Sequence, residues 1–123
     1  MSSPNIEKKS FSAPDETRPF VEKGKAEIIT LNGVTFGRAT FEPGWTWAKC
    51  VGPIAGTPSC QCAHLAYQVA GRMRIVMDDG SETVIEPGDV YSVPPGHHAE
   101  VLGDEPVVAL DITGMGGYAR PTG

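Results

Sequence analysis

The chain has 123 residues, a formal net charge of -5, 40% hydrophobic and 20% charged residues, and a pI near 5.1. This length suits one domain that can bury a core without disulfides. The acidic balance and the scattered basic residues argue against nucleic-acid binding. No apolar run reaches the length of about 18 residues that predicts a membrane-spanning helix.

The N-terminal segment differs in composition from the rest of the chain. Residues 1–25 are rich in Ser, Pro, Lys and Glu, and we expect an arm that is loosely ordered or lies on the domain or on a partner subunit. Residues 26–123 are predicted to form a single domain. Because Met1–Lys9 lacks an apolar core, we expect no signal peptide and a cytoplasmic location.

From Ala26 onward, short β-rich runs alternate with turn residues at a spacing of about 8–12 residues, which is typical of an all-β sandwich or barrel. No stretch shows a helical apolar period, so little or no helix is expected. The predicted strands are Ala26–Leu31, Val34–Glu42, Trp45–Lys49, Cys60–Val69, Arg72–Met77, Glu82–Ile85, Val90–Val93, Ala99–Leu102 and Val107–Ile112.

Four dipeptides predict the turns between these strands. Asn32-Gly33 and Asp79-Gly80 favour two-residue hairpin turns, in which both residues take positive φ. Pro43-Gly44 and Pro87-Gly88 suit type II turns, because Pro fixes φ at the first central position and Gly accepts positive φ at the second.

Side chains alternate along a strand, so Cys60, Cys62 and His64 are predicted to share one face. A second candidate group is the pair His97 and His98, whose side chains should point in opposite directions. His97 is the better candidate to point inward, but a bulge after Pro95-Gly96 would exchange the two roles.

These residue types predict a metal site. Thiolates and imidazoles from Cys60, Cys62, His64 and His97 suit zinc, with iron or copper as alternatives. The simpler interpretation is that the cysteines are small core residues and His64 donates to a buried carbonyl or a Tyr. Three cysteines, two of them spaced Cys-x-Cys, indicate reduced thiols in the cytoplasm, and a redox-sensing role for Cys60 and Cys62 is a weaker third interpretation.

Other residues have a functional and a structural interpretation. Trp45, Trp47 and Tyr67 could line a pocket rim, although core or dimer packing is favoured. Arg38 and Asp111 each interrupt an apolar row, so the two are predicted to pair inside the domain.

Two stretches resemble the conserved motifs of the cupin superfamily. Residues 88–96, Gly-Asp-Val-Tyr-Ser-Val-Pro-Pro-Gly, resemble the second cupin motif, and residues 64–71, His-Leu-Ala-Tyr-Gln-Val-Ala-Gly, resemble the end of the first. The resemblance implies an antiparallel β-barrel, or jelly roll, a metal held by three His and one Glu, and a homodimer formed through the N-terminal arm. Aligned on the motif glycines, His64 stands at the Glu position, Cys60 at a His position and Ala99 at the last His, with His97 two residues earlier.

Four further stretches of the sequence resemble those of a group of small bacterial cupins: Glu42–Trp47, Gly56–Cys60, Met77–Glu82 and Pro94–His97. This finer resemblance does not name a reaction. We therefore expect a small cupin that binds a divalent transition metal, zinc or iron, and a small organic molecule at the barrel mouth. The metal candidates are Cys60, Cys62, His64, His97 and His98. The alternative is a non-catalytic ligand-binding or sensory cupin without metal.

Overall fold

The computed structural model describes residues 5–113 and 118–120. Within these residues the chain is mostly antiparallel strand, with two helices of four residues each. The elements in chain order are β1 (Glu16–Pro19), β2 (Gly24–Leu31), β3 (Val34–Phe41), α1 (Trp47–Cys50), α2 (Gly52–Ala55), β4 (His64–Ala70), β5 (Arg72–Met77), β6 (Glu82–Ile85), β7 (Val90–Val93), β8 (His97–Leu102) and β9 (Val107–Asp111).

The strands form two sheets around one core. The larger sheet has the order β1-β2-β3-β9-β4-β7 and the smaller has the order β6-β5-β8. Buried side chains from both sheets and from the two helices form one apolar cluster, which includes Phe41, Trp45, Trp47, Met73 and Val107.

The prediction of an all-β antiparallel fold is confirmed, but that of a closed barrel is wrong. Within the described residues, β6 pairs only with β5 and β7 pairs only with β4. Both edge strands have only four residues. A cleft of about 190 Å³ lies beside them, lined by residues of β5, β6 and β7 that include Ile75, Thr83 and Tyr91.

The region between β3 and β4 departs from the predicted strands. Trp45–Lys49 was predicted as a strand, but Trp47–Cys50 is helix α1, because the Thr46 hydroxyl accepts the Lys49 N–H at 3.4 Å and caps the turn. Trp47 and Cys50 both lie on its buried side. The predicted strand from Cys60 begins only at His64, so Cys60 and Cys62 lie in the preceding loop.

Three of the four predicted turns have the expected geometry. Asn32 and Gly33 both have positive φ, 51° and 80°. Trp45 N–H donates to Glu42 O, and Asp89 N–H donates to Glu86 O, both at 3.0 Å, which closes the two Pro-Gly turns. The prediction of a two-residue turn at Asp79-Gly80 is wrong. The loop is longer, and a hydrogen bond from Met77 N–H to Ser81 O at 2.8 Å closes it.

The N-terminal segment lies on the large sheet of its own chain. Strand β1 pairs with β2 in the register Glu16↔Ile28 to Pro19↔Lys25. Lys9 bonds Asp15 at 2.9 Å and Thr30 O at 2.7 Å, and the Arg38 guanidinium lies 4.9 Å from the centre of the Phe11 ring. The regular structure thus begins inside the predicted arm. No helix in the described part of the chain has the length and apolar character needed to cross a membrane.

Candidate metal centre

Three of the predicted ligands converge inside the domain. The Cys60 sulfur and one ring nitrogen from each of His64 and His97 lie within 4.8 Å of one another. Cys60 and His97 are buried, being 2% and 4% exposed, and the His64 side chain is 11% exposed. One sulfur and two nitrogens at this separation form a set that a single ion could bind.

Backbone hydrogen bonds hold Cys60 against His97. Cys60 N–H donates to His97 O at 2.8 Å, and Gly96 N–H donates to Cys60 O at 2.7 Å. Gly96 has a φ of 93°, and a Cβ there would lie 2.9 Å from Oδ2 of Asp78. That carboxylate accepts the Ser59 hydroxyl at 2.9 Å. These bonds therefore hold the Pro-Pro-Gly-His turn and the cysteine loop together beside Cys60 and His97.

His64 is oriented by a carboxylate. Its Nδ1–H donates to the Asp111 carboxylate, whose other oxygen accepts the Thr113 N–H at 2.8 Å. The opposite ring nitrogen, Nε2, lies 3.7 Å from the Cys60 sulfur. A carboxylate behind a ligating imidazole fixes its tautomer and raises its basicity as a ligand.

Asp111 was not among the predicted site residues, and its predicted partner was wrong. Arg38 lies on the outer side of the sheet and donates to Glu27 at 2.9 Å, whereas Asp111 points inward to His64. The signal was present in the sequence, since Asp111 interrupts the apolar row of Val107 and Ala109. Naming its partner required the pairing of β9 with β4, Asp111↔Ala66.

His97 is held by a carbonyl group. Its Nδ1 lies 2.9 Å from Pro94 O, and because a carbonyl oxygen only accepts, Nδ1 carries the hydrogen. Burial lowers the pKa of His97, and His64 lowers it further, against the effect of the Pro94 bond. The ring is thus favoured in its neutral form, in which Nε2 offers a lone pair.

The two thiols of the loop affect each other's pKa. The neighbouring Cys62 thiol and burial raise the pKa of Cys60, although the adjacent Trp47 indole acts in the opposite direction. The pKa of Cys62 is lowered, first by the neighbouring Cys60 thiol and then by His64 and Arg18, against the effect of burial. Cys62 thus lies next to Cys60 but outside the three-residue group.

His98 does not join the group. It follows His97 on β8, where it pairs with Val76, and its ring lies edge-on against Trp47 at 5.4 Å between ring centres. The structure thus points His97 inward and His98 away from Cys60 and His64.

A cavity of about 50 Å³ adjoins the two histidines. Tyr118 is part of its wall and was not predicted; its ring centre lies 5.2 Å from that of His64. Trp45 and Trp47 also line the cavity and, at 1% and 2% exposed, are part of the core, while Tyr67 lies on the outer face of the sheet. The wall is completed by Ala39, Phe41, Ala66, Met73, Ile75, Tyr91, Val93, Ala99, Ala109 and Asp111.

Comparison with known proteins supports the fold. No family model matches the chain, and no curated protein matches it. Among solved structures, a variant of oxalate decarboxylase from B. subtilis is 20% identical with a TM-score of 0.61, and the match covers 93% of this chain and 31% of that one. A protein of unknown function from Rhizobium leguminosarum is 15% identical with a TM-score of 0.60, covering 97% and 100% of the two chains.

A third similar structure is an uncharacterized protein with a double-stranded β-helix domain from Klebsiella pneumoniae. It is 16% identical with a TM-score of 0.57, and the match covers 93% of this chain and 94% of that one. Identities at this level establish the fold alone. The chain has the cupin-type double-stranded β-helix fold, and its interior carries a Cys/His/His group of metal-binding character.

Proposed function

We propose that this cupin-fold protein binds one divalent transition metal through Cys60, His64 and His97 and takes a small organic molecule beside it. The convergence of the three side chains within 4.8 Å carries the proposal. In both histidines Nδ1 is engaged by an acceptor, so Nε2 is the nitrogen left to bind an ion. This is the arrangement expected of metal-binding imidazoles.

The donor set fits zinc best. One thiolate and two imidazoles are common zinc ligands, and iron is the second candidate. The neighbouring Cys62 and burial both disfavour the Cys60 thiolate, but a bound dication would displace its proton. Three protein ligands leave a position open, as in catalytic zinc sites, where the metal polarises a carbonyl group or activates water.

A second candidate function is a non-catalytic ligand-binding or sensory domain that holds no metal. The observation that favours it is the departure from the family's His/His/Glu/His set, since Ala99 stands where the last His is expected. In that case the cavity beside His64 would be the binding site, and the buried thiols would be part of the core.

Metal content distinguishes the two functions. Elemental analysis of untagged protein, purified without chelators and then offered zinc or iron, should give about one ion per chain. The Cys60→Ser/His64→Ala variant and the single variant His97→Ala should lose that ion. Wild-type protein that takes up neither zinc, iron, nickel nor copper would overturn the metal proposal.

The chain offers close controls for these variants. His98→Ala removes the neighbouring imidazole, which faces away from the group, and Cys50→Ser removes a thiol that is equally buried, at 1% exposed. Both should keep the metal. If His98→Ala lost as much metal as His97→Ala, the assignment of ligands would be wrong.

We also infer that the protein works as a cytoplasmic homodimer. Cys50, Cys60 and Cys62 are all free thiols, which suits a reducing compartment. The outer face of the large sheet carries an apolar patch formed by Phe36, Leu65, Tyr67, Val90, Leu110 and Ile112. A second copy presents the same patch, and isologous two-fold pairing would cover both at once.

A further inference from the structure

We propose that Cys60 and Cys62 form a redox switch, in which a hydroperoxide joins the two cysteines in a disulfide and the metal is released because Cys60 is no longer a ligand. This inference rests on the proposed metal function and adds its regulation. Three observations support it: the spacing of the two cysteines, the space that they share, and the difference in their exposure.

The spacing puts the two cysteines within reach of a disulfide. Only Gln61 separates them, so their Cα atoms lie at most about 7 Å apart in any conformation, and a disulfide needs about 4.4–6.8 Å. Residues 61–63 belong to no helix or strand. Cys62 can therefore approach Cys60 through a local change in the loop, without breaking a strand pairing.

Both cysteines face the same space. They line one small pocket of about 10 Å³, together with Trp47 and Tyr118. The two thiols are also close enough for each to shift the pKa of the other. Cys50, the third free thiol, lies in α1 and does not line this pocket. Cys62 is therefore the expected partner of Cys60 in a disulfide.

The difference in exposure sets the order of events. Cys60 is buried at 2% exposed, whereas Cys62 is partly exposed. The oxidation of a thiol depends on its accessibility, and redox-sensing cysteines commonly lie beside a second cysteine that resolves the oxidised form. An oxidant in solution therefore reaches Cys62 first, and Cys60 acts as the resolving cysteine.

The reaction has two steps. The Cys62 sulfur attacks one oxygen of hydrogen peroxide, the O–O bond breaks, and hydroxide leaves as water with the thiol proton, so that Cys62 becomes a sulfenic acid. The Cys60 thiolate then attacks the Cys62 sulfur, the S–O bond breaks, and hydroxide takes a proton from solvent. The two sulfurs lose two electrons and the peroxide becomes two waters. Because only a thiolate binds a metal well, two imidazoles alone would remain as ligands.

The test treats zinc-loaded protein with a small molar excess of hydrogen peroxide in the presence of a chromophoric chelator. Intact mass reports the disulfide as a loss of about 2 Da from the monomer, and the absorbance of the chelator reports released zinc. We expect the two changes to follow one time course, and zinc to stay bound when peroxide is left out. A phosphine reductant should reverse the change in mass, after which the protein should take up zinc again.

Two variants test the pairing. Cys62→Ser keeps the three proposed ligands but should show no such loss of mass. It should release zinc under peroxide about tenfold more slowly than the wild type, because a buried thiol such as Cys60 is oxidised slowly by itself. Cys50→Ser is the matched control and should behave like the wild type. It leaves only Cys60 and Cys62, so the loss of mass from its monomer identifies the bond between them.

The possible results separate the switch from the metal site. Zinc-loaded protein that releases zinc without forming the disulfide, or forms it and keeps the zinc, would overturn the switch and leave the metal site standing. Equal zinc release from Cys62→Ser and the wild type would do the same. If Cys62→Ser does not bind zinc, the two time courses of Cys50→Ser decide instead. Wild-type protein that takes up no metal would overturn the metal function and the switch with it.

Discussion

The two faces of strand β4 differ in a way that separates two roles of the molecule. On the inner face, His64, Ala66 and Gln68 are buried or nearly so, and Gln68 is fully enclosed at 0% exposed. On the outer face, Leu65 and Tyr67 remain 38% and 44% exposed. The usual antiparallel strand is apolar toward the core and polar toward water, and β4 reverses this order.

The reversal is possible because each inner polar group has a partner. Gln68 donates to Gly71 O at 3.1 Å and accepts the Tyr91 hydroxyl at 3.0 Å, while His64 bonds Asp111. Buried polar groups with partners cost little, and they give a pocket its chemistry. Exposed apolar groups on the other face have no such compensation unless another surface covers them.

The largest expected effect is on the inner face. Asp111→Asn keeps the shape of the side chain but removes the charge behind His64, so zinc affinity should fall by about ten- to a hundredfold. Competition with a chelator of known affinity measures the change. Asp104→Asn, an exposed carboxylate in the β8–β9 loop, is the control. An affinity unchanged by Asp111→Asn would mean that the carboxylate does not support the metal.

The role of the outer face is tested by measuring the oligomeric state of the protein and of its variants. Tyr67→Arg places a charge in the centre of the apolar patch and should raise the dimer dissociation constant about thirtyfold, as for loss of a central aromatic contact. Val84→Arg, on the other sheet and similarly exposed at 38%, should not change it. Sedimentation velocity over a range of concentrations measures both. A wild-type chain that stays monomeric at high concentration would contradict the homodimer.

Much of the fold followed from local patterns, because alternation and turn residues act over a few positions. The Asn32-Gly33 hairpin and both Pro-Gly turns depend only on the residues within them. Helix α1 was missed because Trp45–Lys49 is too short to show a period, and a Thr46 cap decides its conformation. The open edge between β6 and β7 depends on how far two short strands extend, which no local pattern indicates.

The site was predictable in its residue types but not in its contacts. His64 faces inward as alternation requires, whereas Cys60 reaches the same place from a loop through its bridge to His97. Asp111 joins His64 only through the register of β4 with β9. Tyr118 comes from the C-terminal segment beyond β9, where no periodic pattern places a side chain. Contacts between distant segments are set by tertiary packing, which the sequence pattern does not contain.

A smaller effect, on stability, is expected in the turn before His97. This turn connects the inner face to the cysteine loop. Gly96→Ala should lower the free energy of unfolding by about 1–2 kcal/mol through positive φ, with an added cost because the new Cβ would lie 2.9 Å from the Asp78 carboxylate. Gly80 has a similar φ of 91°, but a Cβ added there would have no atom within 4 Å. Gly80→Ala therefore measures the cost of the backbone conformation alone. Urea unfolding compares them. Equal losses would show that the contact with Asp78 is unimportant.

The smallest effect is expected at Cys62. A variant of this residue tests whether the loop supplies one cysteine or two to the proposed metal centre. Cys62 is adjacent to Cys60 and shifts its pKa, but it lies outside the group of Cys60, His64 and His97. Cys62→Ser keeps a hydrogen-bonding group, so metal content should remain about one ion per chain and zinc affinity should change by no more than about twofold, or ~0.5 kcal/mol. A complete loss of metal would instead make Cys62 a fourth ligand. The site would then be closed, as structural zinc sites are, and the neighbouring cavity would have no open metal position to serve.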